Sequence, residues 1–236
     1  MTEQRTVVIQ QPNYFPWLGY LDRIRTCDVF VFLDTVQYIR RNYTNRTRLR
    51  IGADARWITV PVSGEFHDPI SVIRIDNATA WQRKHLLTIE RNYAKSEFFA
   101  EYWPRVNEIL TREWELLSEM NMEICRWYGE LLGNDTEFIA ASELDLNPDL
   151  SSSALLAGIA HSVSATTYVA GEGGRKYMDY APFEEVGIPV HWQDFQHPEY
   201  PQLGPSMVTG LSALDGLFNC GIDGLVSLIS ELSHRA

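Results

Sequence analysis

The feature that most constrains the fold lies at the start of the chain, where two short apolar runs flank a turn and a helical pattern. Residues 7–9 (VVI) form the first run, and residues 28–34 (DVFVFLD) contain the second. Between them, Leu18, Leu21 and Ile24 recur at three-residue steps, a spacing typical of a helix. A strand, a helix and a strand within so few residues predict a parallel β-α-β unit, and with it an α/β fold with an open, mostly parallel sheet.

The rest of the chain predicts a small antiparallel insertion, a helical segment and a second α/β half. In order, the predicted elements are strands at 45–51, 56–62 and 71–75, a helical segment at 80–133, a helix at 154–163, a strand at 166–170, a helix at 183–187, a strand at 188–195, and two helical patches at 211–219 and 222–232. Cys220 and Gly221 separate the last two patches. Because no repeat or long linker divides the sequence, we expect residues 1–236 to form one domain.

The charge balance narrows the range of partners. The 236 residues include 31 Asp and Glu against 20 Lys and Arg, which gives a net charge of −11. Nucleic acids and anionic membranes select basic surfaces, so we expect neither, and a small-molecule substrate is expected instead. No stretch reaches the roughly 20 apolar residues of a membrane span, and the first residues lack the apolar core of a signal peptide. The sequence therefore predicts a cytoplasmic protein without membrane insertion.

Three loops of unusual composition are expected at one edge of the sheet. They are residues 10–17 (QQPNYFPW), 171–177 (GEGGRKY) and 196–204 (QHPEYPQLG), and each adjoins a predicted strand. Ligands of open α/β sheets bind beyond the carboxyl ends of the strands. The coincidence of position and composition predicts a ligand site formed by these loops.

The first loop combines rigidity with amides and aromatic rings. Pro12 and Pro16 fix φ, so the turn is stiff before any ligand arrives. The side chains it offers to a ligand are Gln10, Gln11, Asn13, Tyr14, Phe15 and Trp17. Gly19 leaves the start of the helix, with its free N–H groups, open to an anion. The alternative is a packed β-α corner with Trp17 in the core.

The glycine-rich loop is a candidate anion site. Backbone N–H groups at Gly171, Gly173 and Gly174 can curl around a phosphate, and Arg175 or Lys176 can neutralise its charge. The loop matches neither the Walker A pattern nor G-x-G-x-x-G. A glycine turn with a solvated basic pair is the alternative.

Two other segments carry candidate acid–base and anion-binding groups. His197 stands beside loop prolines that restrict its orientation, and a fixed histidine can act as a general base. Asp34 ends an apolar strand and is the candidate acid, unless it caps or pairs with an arginine. Five arginines lie between residues 40 and 50, and Asn45 and Arg46 there are candidates to hold a carboxylate or phosphate. The alternative for these arginines is a solvated strand face.

The sequence offers no pattern for a metal or a cofactor. Its three cysteines are far apart, and no CxxC, HExxH or DxD pattern occurs. We therefore predict a metal-independent site, with no cofactor.

Together these motifs resemble those of the WbqC-like family. The matching stretches are QPNYFPWLGYLDRI (11–24), DVFVFLDTVQYIRRNYTNR (28–46), WITVPV (57–62), TTYVAGEGGRKYMD (166–179), HPEYPQ (197–202) and LSALDGLFNCG (211–221). They occur in order over nearly the whole chain. Ala170 stands where a serine is common in the family, so a role for that hydroxyl is not carried over.

The resemblance implies further site residues and a setting. Carried over by position, the substrate-binding candidates are Gln11, Tyr14, Trp17, Gln37, Asn45, Arg46, Gly171, Tyr177, Tyr200 and Gln202. The catalytic candidates are His197, Asp34 and Asp215, with either aspartate orienting a partner. The family is associated with bacterial cell-surface polysaccharide and natural-product gene clusters, which implies a role in biosynthesis.

Three functions remain open at this point. The first is an acyl or aminoacyl transferase that forms an amide on an amine such as an amino sugar or amino acid, with a thioester or an acyl carrier protein as donor. The second is a nucleotide-binding, adenylate-forming transferase, because the opening is similar to that of the nucleotidyltransferase superfamily, which includes pantothenate synthetase. In that superfamily an HxGH motif steadies the phosphates, whereas this chain has WLGY at residues 17–20. The third is a noncatalytic ligand-binding module.

Overall fold

The computed structural model describes residues 4–65 and 67–233. The strands are β1 (Thr6–Gln10), β2 (Val29–Phe32), β3 (Arg46–Ile51), β4 (Asp54–Thr59), β5 (Val62–Ser63), β6 (Arg74–Ile75), β7 (Glu137–Ala140), β8 (Thr167–Gly171) and β9 (Val190–Gln193). The helices are α1 (Leu18–Arg25), α2 (Trp81–Tyr93), α3 (Phe99–Thr111), α4 (Leu117–Leu132), α5 (Ser152–Ser162), α6 (Ala181–Glu185) and α7 (Ala213–Ser233).

Five of these strands form one sheet in the order β7-β2-β1-β8-β9. β1 lies in the middle, where Val7 pairs with Val29 on one side and with Tyr168 on the other. The chain builds outward from β1 through β2 and β7, and then continues on the other side through β8 and β9. β1 and β8 are therefore the topological switch point of a doubly wound sheet. The predicted α/β fold with an open sheet is confirmed, and this sheet is parallel throughout.

Helices cover both faces of the sheet. Val7 and Val29 pack in a core with residues of α5 and α6, whereas Val8 and Phe30 pack with residues of α1 and α4. Successive residues of a strand point to opposite faces, so a strand covered on both sides must be apolar throughout. This requirement explains the uninterrupted apolar runs at residues 7–9 and 29–32.

The chain between β2 and β7 forms the predicted insertion and helical segment. β3 and β4 pair as an antiparallel ribbon, and β5 and β6 form a second, smaller antiparallel pair. The helical segment consists of α2, α3 and α4, which share a core with residues of α1 and α7. The strand expected at 71–75 is shorter, because a 3-10 turn at Ile70–Val72 precedes β6.

The sequence patterns do not predict β7. Its four residues, EFIA, are too few to show a clear apolar pattern. The strand is held by its neighbour, since Phe138 pairs with Phe30 in the ladder and its ring stacks on Phe32 with centroids 5.7 Å apart.

The C-terminal helix α7 is broken at Gly221, as the sequence predicts. Gly221 has φ of +68° and ψ of 176°, a conformation that interrupts the helix. Residues Ala213–Ser230 are long and apolar enough to cross a membrane by length and composition alone. Half of this stretch is buried in the protein, and Asp215 within it is completely buried, which is typical of a core helix.

Candidate functional site

A cleft of about 660 Å³ opens at the carboxyl edge of the sheet, where β1 and β8 diverge. Its walls come from the ends of β1, β2, β8 and β9, from residues 42 and 43, and from the start of α5. Among the lining residues are Gln10, Gln11, Asn13, Trp17, Arg23, Tyr43, Ser152, Gly171, Glu172, Gly173, Gly174, Tyr177, Gln193 and Phe195. A cleft of this size fits a small metabolite, and the switch point is where doubly wound sheets bind their ligands.

The opening loop divides its side chains between the cleft and the core. Its amides and Trp17 line the cleft, whereas Tyr14 and Phe15 are completely buried. The Tyr14 hydroxyl lies 2.8 Å from Nδ1 of His85 on α2. Of the three rings expected to form a pocket wall, the structure therefore brings only Trp17 to the cleft.

The loop is stiff because it is part of the core. The Phe15 carbonyl accepts hydrogen bonds from the hydroxyls of Thr47, at 2.8 Å, and Ser212, at 2.9 Å. Phe15 itself has φ of +39°, an unusual value for a residue with a side chain. A Cβ added at Gly19 would lie 2.2 Å from the Trp17 ring, so this glycine makes room for an indole.

Arg23, on the second turn of α1, is the cation of the cleft, and the sequence analysis does not single it out. Its side chain is almost completely buried, and burial lowers its pKa. Nη1 donates to Oε1 of Gln10 at 2.7 Å, and Nε donates to the Gly19 carbonyl at 3.4 Å. An arginine in an amphipathic helix usually faces solvent. The signal in the sequence for the position of Arg23 is its four-residue spacing from Gly19, which places both residues on the same face of α1.

The glycine-rich loop lies at the cleft, but its basic pair is engaged elsewhere. Residues Glu172–Tyr177 form a 3-10 turn after β8. The Arg175 guanidinium lies 3.3 Å from the carboxylate of Glu172 and 5.3 Å from the Trp192 ring centroid. Tyr177 stands at the rim, 75% exposed. A Cβ added at Gly171 would approach Nη1 of Arg23 to 2.6 Å.

His197 lies next to the cleft without lining it. Its ring contacts Phe195 edge to face, and Phe195 does line the cleft. Nε2 accepts the Gly210 N–H at 3.1 Å, and Nδ1 lies 3.1 Å from the Pro198 carbonyl. Burial lowers the pKa of His197, which favours a neutral ring. Both ring nitrogens are thus engaged, and the role of His197 as a base stays a prediction.

Asp215, Tyr200 and Gln202 belong to a buried polar network behind the cleft. The Asp215 carboxylate accepts hydrogen bonds from the hydroxyls of Tyr93, at 2.9 Å, and Tyr200, at 3.0 Å. Burial raises the pKa of Asp215, and these hydroxyls partly offset the effect. Gln202 accepts from Arg50 at 2.9 Å. The network fixes the 199–210 loop onto α7 and β3, and none of the three residues lines the cleft.

The candidates that follow β2 also lie outside the cleft. Both carboxylate oxygens of the buried Asp34 accept hydrogen bonds from Ser142, from its N–H at 2.9 Å and its hydroxyl at 2.6 Å. Gln37 is exposed and pairs through its backbone with Pro69. The buried Asn45 donates to the Val60 carbonyl.

Arg46 is half-buried and lies over Trp57 of the ribbon. Its guanidinium carbon lies 4.0 Å from the centroid of the Trp57 ring. Trp57 in turn meets Tyr43 edge to face, with centroids 5.3 Å apart, and Tyr43 lines the cleft. The predicted residues that the structure does bring together at the cleft are Gln10, Gln11, Asn13, Trp17, Gly171, Gly173, Gly174 and Tyr177.

The cleft offers side-chain amides and a carboxylate to a ligand. Over residues 4–65 and 67–233, no group of three or more His, Cys, Asp or Glu side chains is placed to bind a metal ion. Side-chain amides come from Gln10, Gln11, Asn13, Asn42 and Gln193, and a carboxylate from Glu172. Gln193 donates to the Gly19 carbonyl at 2.9 Å and to Asp22 at 2.7 Å, which holds β9 against α1.

The sheet and the cleft define a doubly wound α/β protein with a cleft at its switch point. The chain belongs to the WbqC-like protein family, whose model matches residues 11–226. It is 34% identical over 223 residues to an uncharacterized protein of Mycobacterium tuberculosis, an alignment that covers 93% of this chain and 95% of the relative. No solved structure matches the chain significantly.

Proposed function

We propose that the protein is a cytoplasmic transferase that binds a small polar substrate in the switch-point cleft and forms an amide on an amine group. The observation that carries the proposal is the cleft itself, about 660 Å³ in volume and lined by five side-chain amides and several aromatic rings. Rigid amides that meet in a concave site suit a compact polar metabolite. The reaction type is supported by the biosynthetic setting that the family resemblance implies.

In the proposed reaction the amine nitrogen attacks the carbonyl carbon of a thioester. The C–N bond forms, the C–S bond breaks, the amine loses a proton to a base, and the sulfur leaves as a thiol. Glu172 lines the cleft, and His197 lies behind Phe195, where it must release the Gly210 N–H before it accepts a proton. These two groups are the candidate bases.

An acyl carrier protein is the donor that the surface charge favours. We use the term arginine face for Arg46 and Arg48 on β3 together with Arg40 in the loop before it. None of these three forms a salt bridge with a described residue, and Arg46 and Arg48 both approach Trp57. An acidic carrier would be attracted to this face, although the chain as a whole carries a charge of −11. Through Tyr43 the face adjoins the cleft.

The experiment measures thiol release from coenzyme A thioesters, or from the same acyl group on an acidic carrier protein, with amino acids and amino sugars as acceptors. The expected result is release that depends on both donor and amine. In the same assay, His197→Gln should lower turnover by about 10²-fold if His197 is the base, and should leave it unchanged if Glu172 is. A thermal shift with thioester or amine but no amine-dependent release would contradict transfer and favour a binding module.

Nucleotide binding is the second candidate, and the strand order favours it. Doubly wound sheets with this reversal at the central strands commonly bind nucleotides at the switch point. Exchange of labelled pyrophosphate into ATP, dependent on Mg²⁺ and a carboxylic acid, would support adenylate formation. Absence of that exchange, together with amine-dependent thiol release, would favour acyl transfer.

A further inference from the structure

The cleft contains a buried cation that forms no salt bridge with a described carboxylate. Arg23 is 5% exposed, and it forms no salt bridge with any residue in 4–65 or 67–233. Nη1 and Nε are used by Gln10 and Gly19, while Nη2 makes no hydrogen bond within the described residues. Asp22 attracts this guanidinium without forming a salt bridge to it. An anion in direct contact with the guanidinium would therefore add a counter-charge at the cleft and stabilise the buried cation.

Amide groups with unused hydrogen-bonding capacity lie beside this cation. Gln10 accepts from Arg23 through Oε1, which leaves its Nε2 free of partners within the described part of the chain. Asn13 is only 6% exposed and lines the cleft, and its side-chain amide makes no hydrogen bond to a described residue. The amide atoms themselves are not enclosed by the protein, so they are accessible from the cleft to a ligand.

We propose that Arg23, Gln10 and Asn13 bind a single carboxylate group, so that the ligands of this cleft are small amino acids and similar carboxylic acids. One guanidinium without a salt bridge matches one negative charge, and its planar donors fit the two oxygens of a carboxylate. A phosphate monoester carries a larger charge and would meet the carboxylate of Glu172 in the same cleft. That this carboxylic acid is the substrate rests on the proposed function, whereas the binding of the carboxylate does not.

Gly171 is the second part of the subsite. A Cβ at this position would lie 2.6 Å from Nη1 of Arg23, so only glycine lets the guanidinium rest against the end of β8. Gly171→Ala therefore displaces Arg23 without removing its charge. Gly158→Ala on α5 is the matched control, because its added Cβ meets only a Leu150 methyl group, which is the end of a flexible side chain.

The test follows the side-chain Nε–H resonance of Arg23 by NMR in protein labelled with ¹⁵N-arginine. Arg23→Lys assigns the resonance by deleting it. The probes are glycine, acetate, glycinamide and inorganic phosphate. Glycine and acetate are expected to shift the resonance until it saturates, glycinamide to leave it unmoved, and phosphate to bind more weakly than acetate.

Two variants decide whether the shift reports this subsite. Gly171→Ala should weaken acetate binding at least about tenfold, and so should Gln10→Glu, which places an internal carboxylate on Arg23 at unchanged size. Gly158→Ala should bind acetate as the wild type does. Gln10→Glu keeps the test decisive if Gly171→Ala does not fold.

The outcomes separate the subsite from the proposed reaction. No shift with any carboxylate, an unchanged affinity in both variants, or tighter binding of phosphate than of acetate would each overturn the carboxylate subsite. Thiol release without carboxylate binding would support the transferase and contradict the carboxylate subsite. Carboxylate binding without thiol release would leave the subsite and contradict the transferase.

Discussion

At the scale of single residues, the stiff opening loop performs two tasks because its side chains point in two directions. Tyr14 and Phe15 anchor it in the core, and the amides around them are presented to the cleft. Asn121 of α4 ties the backbone of the opening loop to residue 44, since its amide donates to the carbonyls of Pro12, at 3.0 Å, and Thr44, at 2.7 Å. A residue with no contact to the cleft thus positions the groups that line it.

The Tyr14–His85 pair predicts a pH dependence of stability. Burial lowers the pKa of His85 from 6.5 to about 4, so the folded protein holds this ring neutral. Below pH 6.5 the unfolded chain binds a proton there that the folded chain does not, so stability present at pH 7 is lost as the pH falls towards 4. The loss amounts to roughly 3 kcal/mol, at about 1.4 kcal/mol for each unit of pKa.

Urea unfolding at pH 7.5 and pH 4 measures this effect. His85→Gln should lose roughly 3 kcal/mol less than the wild type between the two values, because it removes the titrating ring. Other groups, Asp215 among them, titrate in both proteins and cancel in the comparison. His191→Gln, at an exposed position on β9, is the control and should follow the wild type. Equal losses in all three proteins would show that His85 is not buried as described.

At the scale of elements, the break in α7 allows the parts of this helix before and after Gly221 to contact different neighbours. The residues before Gly221 pack against α1, and the Phe98 N–H donates to the Phe218 carbonyl at 3.0 Å. After the break, the Ile222 N–H donates to the Tyr102 hydroxyl at 3.1 Å, which joins the second part to α3. A straight helix would not keep both contacts, so the glycine is a structural requirement.

Gly221→Ala should destabilise the protein by about 2 to 4 kcal/mol. Alanine is strained at a φ of +68°, and its Cβ would lie 2.9 Å from the ring of Phe98. Gly52→Ala is the matched control, because its φ is +66° and nothing lies within 4 Å of the added Cβ. It should lose only about 1 kcal/mol, the strain alone. Equal losses in the two variants, measured by urea unfolding, would contradict the contact with Phe98.

At the scale of the whole molecule, one core joins elements that are far apart in sequence. The largest apolar cluster contains residues of the opening loop, the ribbon, the three helices of the 80–133 segment and α7. The strands of the sheet separate two further clusters, one with α5 and α6 and the other with α1 and α4. Because α1 and α4 also contribute residues to the largest cluster, all three are connected and none has an independent scaffold.

We therefore expect residues 1–236 to unfold in a single transition, as one domain would. Far-UV circular dichroism reports mainly the helices, and the seven tryptophans lie on both sides of the sheet, from Trp17 to Trp192. The two signals should give the same urea midpoint. An earlier loss of helical signal would show that the 80–133 segment unfolds by itself, and would contradict a single domain.

Much of the fold was predictable because it depends on local patterns. The apolar runs of β1 and β2, the spacing in α1 and the break at Gly221 are all visible within a few residues. β7 was not, because a four-residue strand is held mainly by its pairing with β2. The position of the cleft agrees with the rule that ligands bind at the carboxyl edge of the strands.

The sequence by itself determined the class of fold, the edge that carries the cleft and the stiffness of the opening loop, since periodicity and proline act over short distances. Only the tertiary structure decided which polar residues reach the cleft. Asp34, Asn45 and Asp215 find partners inside the protein, and these partners lie 15 or more positions away in the chain. Arg23 becomes the cation of the cleft because the glycine that ends β8 lets its guanidinium approach. Burial and hydrogen bonding depend on segments that meet only when the chain folds, and no local pattern records them.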